Sequence, residues 1–149
     1  MKKLLALFIL IGATAGSAAG APAECYLPWN ARPDLRMIWL QKDCRYWFPS
    51  HDGFAARPRT MVLRQGTVID RFGQPTGYFL APADASYMGR AVPYDRLKMP
   101  YYRYEVVKPL RVQAGKAAPW FDQPGGGIQY KTEARVQDLV GKGYLKPVW

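Results

Sequence analysis

Short β-type runs, separated by glycine and proline, constrain the fold of residues 60–131 more than any other feature. Each run is rich in β-branched or aromatic residues and spans six residues or fewer. Glycine and proline interrupt such runs because glycine adopts turn conformations and proline lacks a backbone N–H. Runs this short predict an α+β fold, a compact and mostly antiparallel sheet with few short helices, whose strands lie at residues 60–63, 67–71, 78–80, 102–107, 110–112 and 128–131.

One segment after the first 23 residues has the pattern of a helix. Residues 133–142 repeat apolar side chains at helical spacing, which places Val136, Leu139 and Val140 on one face. Thr132 is the expected N-cap, and Gly143 is the expected stop. The sequence therefore predicts one short helix near the end of the chain.

Two further segments are expected to flank the sheet. A closing strand at residues 144–148 contains Pro147, which cannot donate to a ladder and therefore favours a sheet edge. Residues 25–54 are rich in Trp, Tyr and Pro and have mixed periodicity, so we assign no regular element there. We expect this segment to wrap the core.

The first 23 residues have the three zones of a secretory signal. Lys2 and Lys3 precede an apolar run at residues 4–11, and mostly small residues follow as far as Ala23. The apolar run is shorter than the ~20 residues that a membrane-spanning helix needs. We therefore predict a signal peptide at 1–23, a single domain at 24–149, and a secreted or periplasmic protein without a membrane anchor after cleavage.

The charge of the remaining chain favours anionic partners. Removing Lys2 and Lys3 leaves 19 basic residues against 11 acidic ones, a formal charge of +8. The basic residues are spread singly, and no basic run or nucleic-acid reader motif is present. We therefore expect a small phosphorylated ligand or an acidic protein as partner, and no nucleic acid.

Cys25 and Cys44 are the only cysteines. In an oxidising compartment, two cysteines 19 positions apart most simply pair, which would staple the N-terminal segment. The alternative is two free, buried thiols.

Two motifs indicate a nucleotide-cleaving pocket. Arg71, within Asp70-Arg71-Phe72-Gly73, stands at the end of a predicted strand, and its planar guanidinium suits phosphate oxygens. The triplet Gly125-Gly126-Gly127 would let the backbone approach a bulky ligand closely. The order and spacing of such motifs carry more information than either one alone.

An ordered string of motifs resembles the TNT family, named after the tuberculosis necrotizing toxin. The resemblance covers roughly residues 48–148 and rests on Asp52-Gly53-Phe54, Asp70-Arg71-Phe72-Gly73, Arg90-Ala91-Val92-Pro93, Tyr104-Glu105-Val106-Val107-Lys108-Pro109-Leu110, Pro119-Trp120-Phe121, Gly125-Gly126-Gly127-Ile128-Gln129-Tyr130 and Gly143-Tyr144-Leu145. It implies a secreted NAD(P) glycohydrolase, a toxin or effector that splits nicotinamide from ADP-ribose. NAD or NADP would be the substrate rather than a cofactor, and a cognate immunity protein would be a possible partner.

The resemblance also assigns site residues. Arg71 resembles the arginine that holds the dinucleotide phosphates, Arg90 resembles a second basic contact, and Gln129 resembles the catalytic glutamine. Phe72 and Phe79 fall where the family places aromatic side chains against the ligand.

One position departs from the family pattern. Tyr102 stands where many members have a histidine, and in a strand it shares a face with Tyr104 and Val106. A phenol can donate and accept a hydrogen bond but cannot carry the positive charge of an imidazolium. We place Tyr102 among the substrate-binding candidates, and with this residue turnover could survive, fall or vanish.

The implied chemistry needs neither a metal nor paired carboxylates. Nicotinamide is a cationic leaving group that departs neutral, so no general acid is required, and the oxocarbenium-like sugar needs placement and electrostatic support. The chain has only three glutamates and no His/Cys cluster with metal-ligand spacing. His51, the sole histidine, lies in an expected turn, and we assign it a structural role.

Each candidate residue has an ordinary structural alternative. Arg71 could pair with Asp70, the phenylalanines could belong to the core, the glycine triplet could form a turn, and Gln129 could face solvent. Two other functions stay open as well. One is a catalytically impaired dinucleotide-binding module, and the other is a structural or surface-interaction protein that uses the aromatic N-terminal segment.

Overall fold

A seven-stranded antiparallel sheet organises the part of the chain that the computed structural model describes, residues 25–149. The predicted signal peptide lies outside these residues. The strands are ordered β1-β5-β6-β3-β2-β4-β7. They run over β1 (Arg59–Leu63), β2 (Val68–Phe72), β3 (Phe79–Pro82), β4 (Tyr101–Val106), β5 (Leu110–Lys116), β6 (Ile128–Lys131) and β7 (Leu145–Val148). The α+β fold predicted from the short runs is confirmed.

Each predicted run lies within or across one of these strands, and β5 differs most from its prediction. The polar Gln113 and the small Gly115 end the apolar pattern of the sequence, but the strand continues through them to Lys116. Alternate residues of β5 are buried, including Ala114, so the strand still presents an apolar face to the core. Pairing with β1 and β6 on its two sides supports the added length.

One face of the sheet carries the main hydrophobic core. The short helix α1 (Val136–Gly141) packs there, with Val136 and Leu139 buried. The strands contribute the remaining buried side chains of the cluster, which include Leu63, Ile69, Leu80, Tyr104, Val106, Leu110, Val112, Tyr130 and Leu145. The side chains that alternate with these core residues point to the opposite face of the sheet.

The helix is shorter than predicted, and the prediction that Thr132 is its N-cap is wrong. The N-cap position is Arg135, which makes no side-chain capping hydrogen bond. Thr132 instead donates its hydroxyl to backbone carbonyls, including that of Tyr78 at 2.9 Å. The first residue of α1 donates its backbone N–H to the carbonyl of Gly77 at 3.0 Å, so a neighbouring loop replaces the capping side chain.

The end of the chain follows the prediction more closely. Gly143 has a φ of 70°, in the left-handed region that glycine adopts without strain, and it lies just after the helix. Strand β7 then pairs with β4 alone among the described strands, which places Pro147 on an edge. Within residues 25–149, no helix is both long and apolar enough to cross a membrane.

Residues 25–54, here called the N-terminal segment, contain no strand of the sheet. They form two 3-10 helices, at Met37–Trp39 and His51–Gly53, and a disulfide joins Cys25 to Cys44. The segment packs on the fully buried Phe121 through a cluster of aromatic rings that also includes Trp39, Tyr46, Phe48 and Trp120. It therefore covers a second, smaller core rather than the main one.

The disulfide gives a direct stability prediction. Replacing both cysteines with serine is expected to lower the free energy of unfolding by about 3 kcal/mol, because the cross-link restricts the unfolded chain. Urea denaturation of the wild type and the double variant measures the difference. The reduced wild-type protein should match the variant, and an unchanged denaturation midpoint would contradict the prediction.

Candidate functional site

A cavity of about 530 Å³ opens at the face of the sheet opposite the main core. Gln129 and Phe79 border it, and each alternates along its strand with a core residue, Tyr130 and Leu80 respectively. Its volume falls within the range of roughly 300–1,000 Å³ that small-molecule sites occupy. The site is therefore large enough for an extended ligand.

Five of the predicted site residues line this cavity. Four lie in strands and the fifth ends the 3-10 helix at Met88–Arg90; they are Arg71, Phe72, Phe79, Gln129 and Arg90. The fold therefore gathers side chains that are separated in the sequence by up to 58 positions. Taken singly, each position favours an ordinary structural role, but the gathered set favours one binding site.

The guanidinium of Arg71 is held by two backbone carbonyls. Its Nε donates to the carbonyl of Gln74 and its Nη1 donates to the carbonyl of Phe79, each at 2.7 Å. The group lies against Gly77, where a Cβ would be only 2.0 Å from Nη2. Within residues 25–149, Nη2 makes no hydrogen bond and no carboxylate pairs with this guanidinium. Nη2 is therefore a cationic donor without a hydrogen-bond partner among the described residues.

Arg71 reaches the cavity where β2 and β3 separate. Along β2 it alternates with Asp70, so its side chain starts on the same side of the strand as the core residue Ile69. The two strands pair at Ile69 and Asp70 but no further toward the end of β2. The hydrogen bond from Arg71 to the carbonyl of Phe79, the first residue of β3, crosses this gap. The guanidinium therefore borders the cavity although its backbone position belongs to the core side.

Burial lowers the pKa of Arg71 from its ordinary value, while the phenols of Tyr104 and Tyr94 act in the opposite direction. An arginine starts so far above neutral pH that it stays charged. Tyr94 also lines the cavity, and burial raises the pKa of its phenol. The site therefore combines a charged guanidinium with a neutral phenol at physiological pH.

Asp70 pairs with Arg90, not with Arg71. Nη2 of Arg90 lies 2.7 Å from one carboxylate oxygen and 2.9 Å from the other, and the Tyr101 hydroxyl donates to that second oxygen at 3.0 Å. Asp70 is 1% exposed, so the ion pair is buried. Because neighbouring residues of a strand point to opposite faces, Asp70 and Arg71 cannot meet across β2.

This ion pair leaves Arg90 partly neutralised. Its guanidinium lies over the ring of Phe72, 5.0 Å from the ring centroid, and its buried Nε has no hydrogen-bond partner among the described residues. The predicted role of Arg90 as a second basic contact therefore depends on a cation whose charge Asp70 already balances. Phe72 also packs against the rings of Tyr87 and Tyr101, with ring centroids 4.8 and 4.6 Å from its own.

Gln129 is fixed by a turn of the N-terminal segment. Its Nε2 donates to the backbone carbonyl of Asp52 at 3.0 Å. Asp52 has a φ of 56°, and its carboxylate pairs at 2.8 Å with Lys131, two positions after Gln129. Since the amide nitrogen is engaged, the amide oxygen is the acceptor left for a ligand or water.

Tyr102 does not line the cavity. It lies opposite Arg71 in the pairing of β2 with β4, packs against the main core, and stacks its ring on Tyr104 with centroids 6.3 Å apart. Its hydroxyl makes no hydrogen bond to residues 25–149. The sequence groups Tyr102 with the substrate-binding residues, and the structure puts its ring on the other face of the sheet from Gln129.

Two glycines of the triplet, Gly125 and Gly127, pack against backbone, whereas a Cβ at Gly126 would meet no described atom within 4 Å. A Cβ at Gly127 would lie 2.8 Å from the carbonyl oxygen of Gly89, and a Cβ at Gly125 would lie 2.6 Å from that of Ala118. Gly127 also donates its N–H to Gly89 at 3.0 Å. The close approach expected for a ligand is thus made by the protein backbone. The contact with Gly127 fixes Gly89, the residue before Arg90.

Sequence patterns miss several of the lining residues, most of which come from irregular segments. They are Phe48, Pro49, Asp52, Gly53, Leu80, Ala81, Ala91, Val92, Tyr94 and Ala118. The N-terminal segment has no periodic signal, so only the motif Asp52-Gly53-Phe54 links its sequence to the motifs of the strands. The turn expected at Asp52-Gly53 is present, but a turn does not reveal what its carbonyl groups contact.

Within residues 25–149, no group of three or more His, Cys, Asp or Glu side chains is placed to hold a metal ion. His51 is exposed, has a φ of 55°, and its Nδ1 lies 3.0 Å from the hydroxyl of Ser50. It does not border the cavity. The polar side chains of the residues that line the cavity belong to Asp52, Arg71, Arg90, Tyr94 and Gln129.

Known proteins resemble this chain in sequence and in fold. The profile of the family described as tuberculosis necrotizing toxin matches residues 62–148. The conidial surface nicotinamide adenine dinucleotide glycohydrolase of Aspergillus fumigatus is 37% identical over 114 residues, covering 68% of this chain. The chain spans only about half, 49%, of that relative's length.

A solved structure shares the fold. The tuberculosis necrotizing toxin, in complex with its immunity factor, superposes with a TM-score of 0.59 at 23% identity. The match covers 72% of this chain and 65% of the toxin chain. At that identity the likeness establishes the architecture.

The buried ion pair can be tested by removing its negative charge. Asp70→Asn is expected to lower the free energy of unfolding by about 3 kcal/mol, because it leaves the Arg90 guanidinium buried without a counter-charge. The exposed Asp84 faces Arg103 at 3.9 Å, so Asp84→Asn is the matched control and should change stability by less than about 0.5 kcal/mol. Equal denaturation midpoints for the two variants would refute the assignment.

The contact between Gly89 and Gly127 predicts that alanine destabilises the protein at one glycine and not at another. Gly127→Ala should cost about 1–3 kcal/mol, since its Cβ would meet the backbone of Gly89. A Cβ added at Gly141, in α1, would have no described atom within 4 Å beyond its own helix, so Gly141→Ala should not destabilise the protein. Thermal or chemical unfolding of both variants decides between this packing role and a merely flexible turn.

Proposed function

The chain belongs to the tuberculosis necrotizing toxin family, and on that premise we propose that it is an NAD(P) glycohydrolase that hydrolyses the nicotinamide–ribose bond. The relative from Aspergillus fumigatus carries the name of an NAD glycohydrolase. The observation that carries the proposal is one cavity that brings the Arg71 guanidinium and the Gln129 amide together. NAD or NADP is the substrate, and no cofactor is required.

The cavity offers a suitable group for each part of a dinucleotide. Nη2 of Arg71 is a donor for a diphosphate oxygen, and its position is preorganised by two backbone carbonyls. Phe79 offers aromatic surface to a base, and Phe72, whose ring is packed against Arg90, Tyr87 and Tyr101, borders the cavity. Arg90 contributes to binding chiefly by fixing Phe72, because its charge is balanced by Asp70.

The reaction requires placement more than acid–base groups. The C–N bond between the nicotinamide nitrogen and C1′ of the ribose breaks, and its electron pair leaves with nicotinamide, which becomes neutral. Water adds to the oxocarbenium-like carbon and releases a proton to solvent, giving ADP-ribose. The free amide oxygen of Gln129 can orient that water or a ribose hydroxyl, an interaction that stabilises the developing charge.

The position of Tyr102 favours the active enzyme over the catalytically impaired module. The loss of the family histidine would remove a catalytic group only if residue 102 faced the substrate. Tyr102 is not among the residues that line the cavity, and its ring packs against the main core. A tyrosine at this position is therefore compatible with turnover.

We also propose that the protein acts outside the cell that makes it, as a toxin or effector. The disulfide is typical of oxidising compartments, and the relative from Aspergillus fumigatus is named as a conidial surface protein. The tuberculosis necrotizing toxin forms a complex with an immunity factor. By analogy, a cognate immunity protein is a possible partner here, and the net positive charge favours an acidic one.

Gln129→Ala tests the catalytic assignment. The variant should release nicotinamide from NAD at least about 100-fold more slowly than the wild type, since the amide that orients the ribose or water is lost. The measurement is nicotinamide release by the purified protein, with ADP-ribose measured as the second product. Ile128→Val, at the neighbouring position, is the matched control and should leave the rate unchanged. Binding of NAD by the wild type without release would instead support the impaired module.

Tyr102→Phe tests the position that departs from the family. Because the hydroxyl makes no hydrogen bond to the described residues, its removal should change kcat/KM by no more than about twofold. The same nicotinamide assay measures it. A loss comparable to that of Gln129→Ala would show that the phenol reaches the substrate.

A further inference from the structure

An aromatic ring that precedes the residues matched by the family profile borders the cavity. Phe48 belongs to the N-terminal segment, and the family profile begins only at residue 62. Its side chain is half exposed, with 51% of its surface accessible. A large apolar ring left partly open beside a ligand-sized cavity is a surface that a ligand can cover.

The ring of Phe48 is held in a defined orientation. It meets the fully buried Phe121 edge-on, with centroids 5.4 Å apart, and meets Tyr46 edge-on at 6.0 Å. Tyr46 in turn packs edge-on against the cavity-lining Tyr94 at 5.6 Å. These two contacts fix the plane of the Phe48 ring, and the accessible half of the side chain is the part that can stack on a planar heterocycle.

The N-terminal segment places Phe48 and Pro49, which form one wall of the cavity, next to Gln129. A Cβ added at Gly53 would lie 3.6 Å from the ring of Pro49 and 3.7 Å from Nε2 of Gln129, so both side chains border the same glycine. Phe48 directly precedes Pro49, and both line the cavity. The end of the cavity that Phe48 borders is thus the end where the scissile bond would lie.

We infer that Phe48 is a substrate-binding residue that stacks on the nicotinamide ring of the dinucleotide. The inference rests on the proposed function, because it assigns one heterocycle of that substrate to one wall of the cavity. Stacking on a preoriented aromatic ring favours a flat, electron-poor heterocycle such as nicotinamide. The N-terminal segment then contributes directly to substrate recognition.

The disulfide is a positioning element for this wall. Cys44 lies four residues before Phe48, and it ties the segment to Cys25. Between Cys44 and Phe48, the backbone of Trp47 donates to Trp39 at 2.8 Å, in a hairpin-like turn that includes a bridge between residues 40 and 46. Releasing the disulfide loosens the turn that orients Phe48 without touching the arginine and glutamine of the cavity.

Binding measured in a variant without turnover shows which end of the substrate Phe48 contacts. In the Gln129→Ala background, the affinities for NAD and for ADP-ribose, which lacks nicotinamide, are measured by calorimetry. Adding Phe48→Ala is expected to weaken NAD binding about 10-fold and to leave ADP-ribose binding unchanged. Adding Phe48→Trp, which keeps an aromatic face, should retain the affinity for NAD.

The matched control is Trp29→Ala, because Trp29 is an exposed ring of the same segment, at 76%, and does not line the cavity. It should change neither affinity. Phe48→Leu keeps apolar volume for folding but lacks the aromatic face, so it should behave like Phe48→Ala. Equal weakening of NAD and ADP-ribose, or no weakening of either, would overturn the inference.

Wild-type turnover distinguishes this inference from the proposed function. If the wild type releases nicotinamide and Phe48→Ala binds NAD normally, only the role of Phe48 fails. If the wild type neither releases nicotinamide nor binds NAD, both fail together. Reducing the disulfide should raise the KM for NAD while kcat changes little, and an unchanged KM would remove the positioning role of the disulfide.

Discussion

The buried contact between Asp70 and Arg90 connects the sheet to the cavity. Asp70 belongs to β2, Arg90 ends a 3-10 helix, and the charge pair fixes the distance between these elements in a region that excludes water. Arg90 then holds Phe72 by its planar face. Leaving either charge unpaired would be costly, so the pair constrains the local geometry even where its net contribution to stability is small.

A second constraint acts on the same 3-10 helix from the loop before β6. The two meet through Gly89 and Gly127, at a distance that excludes side chains. The strand that carries Gln129 is therefore docked on the helix that carries Arg90. The glycines and the ion pair together set the width of the cavity, and neither group needs to touch a substrate to do so.

The regular part of the fold could be predicted from the sequence, whereas the contacts that build the site could not. The pattern at residues 128–131 predicts a strand with the bounds that the structure has, because alternation and flanking glycines are local signals. The pairing of Asp70 with Arg90 spans 20 positions and depends on which face each strand residue occupies. The capping of α1 by Gly77 likewise involves a loop carbonyl, which composition does not reveal. Phe48 lies in an irregular aromatic segment, where no periodicity indicates a neighbour.

On the proposed function, the packing of Tyr102 against the core accounts for a site that works with a tyrosine at residue 102. Tyr102 and Arg71 are paired across β4 and β2, but Arg71 extends into the gap before β3, whereas Tyr102 stacks on Tyr104 against the core. Gln129 lies on the opposite face and lines the cavity. A reaction whose leaving group departs neutral needs positioned donors and acceptors rather than a titrating imidazole. On the proposed function, the guanidinium, the amide and the aromatic walls meet that requirement without residue 102, whose ring packs against the core.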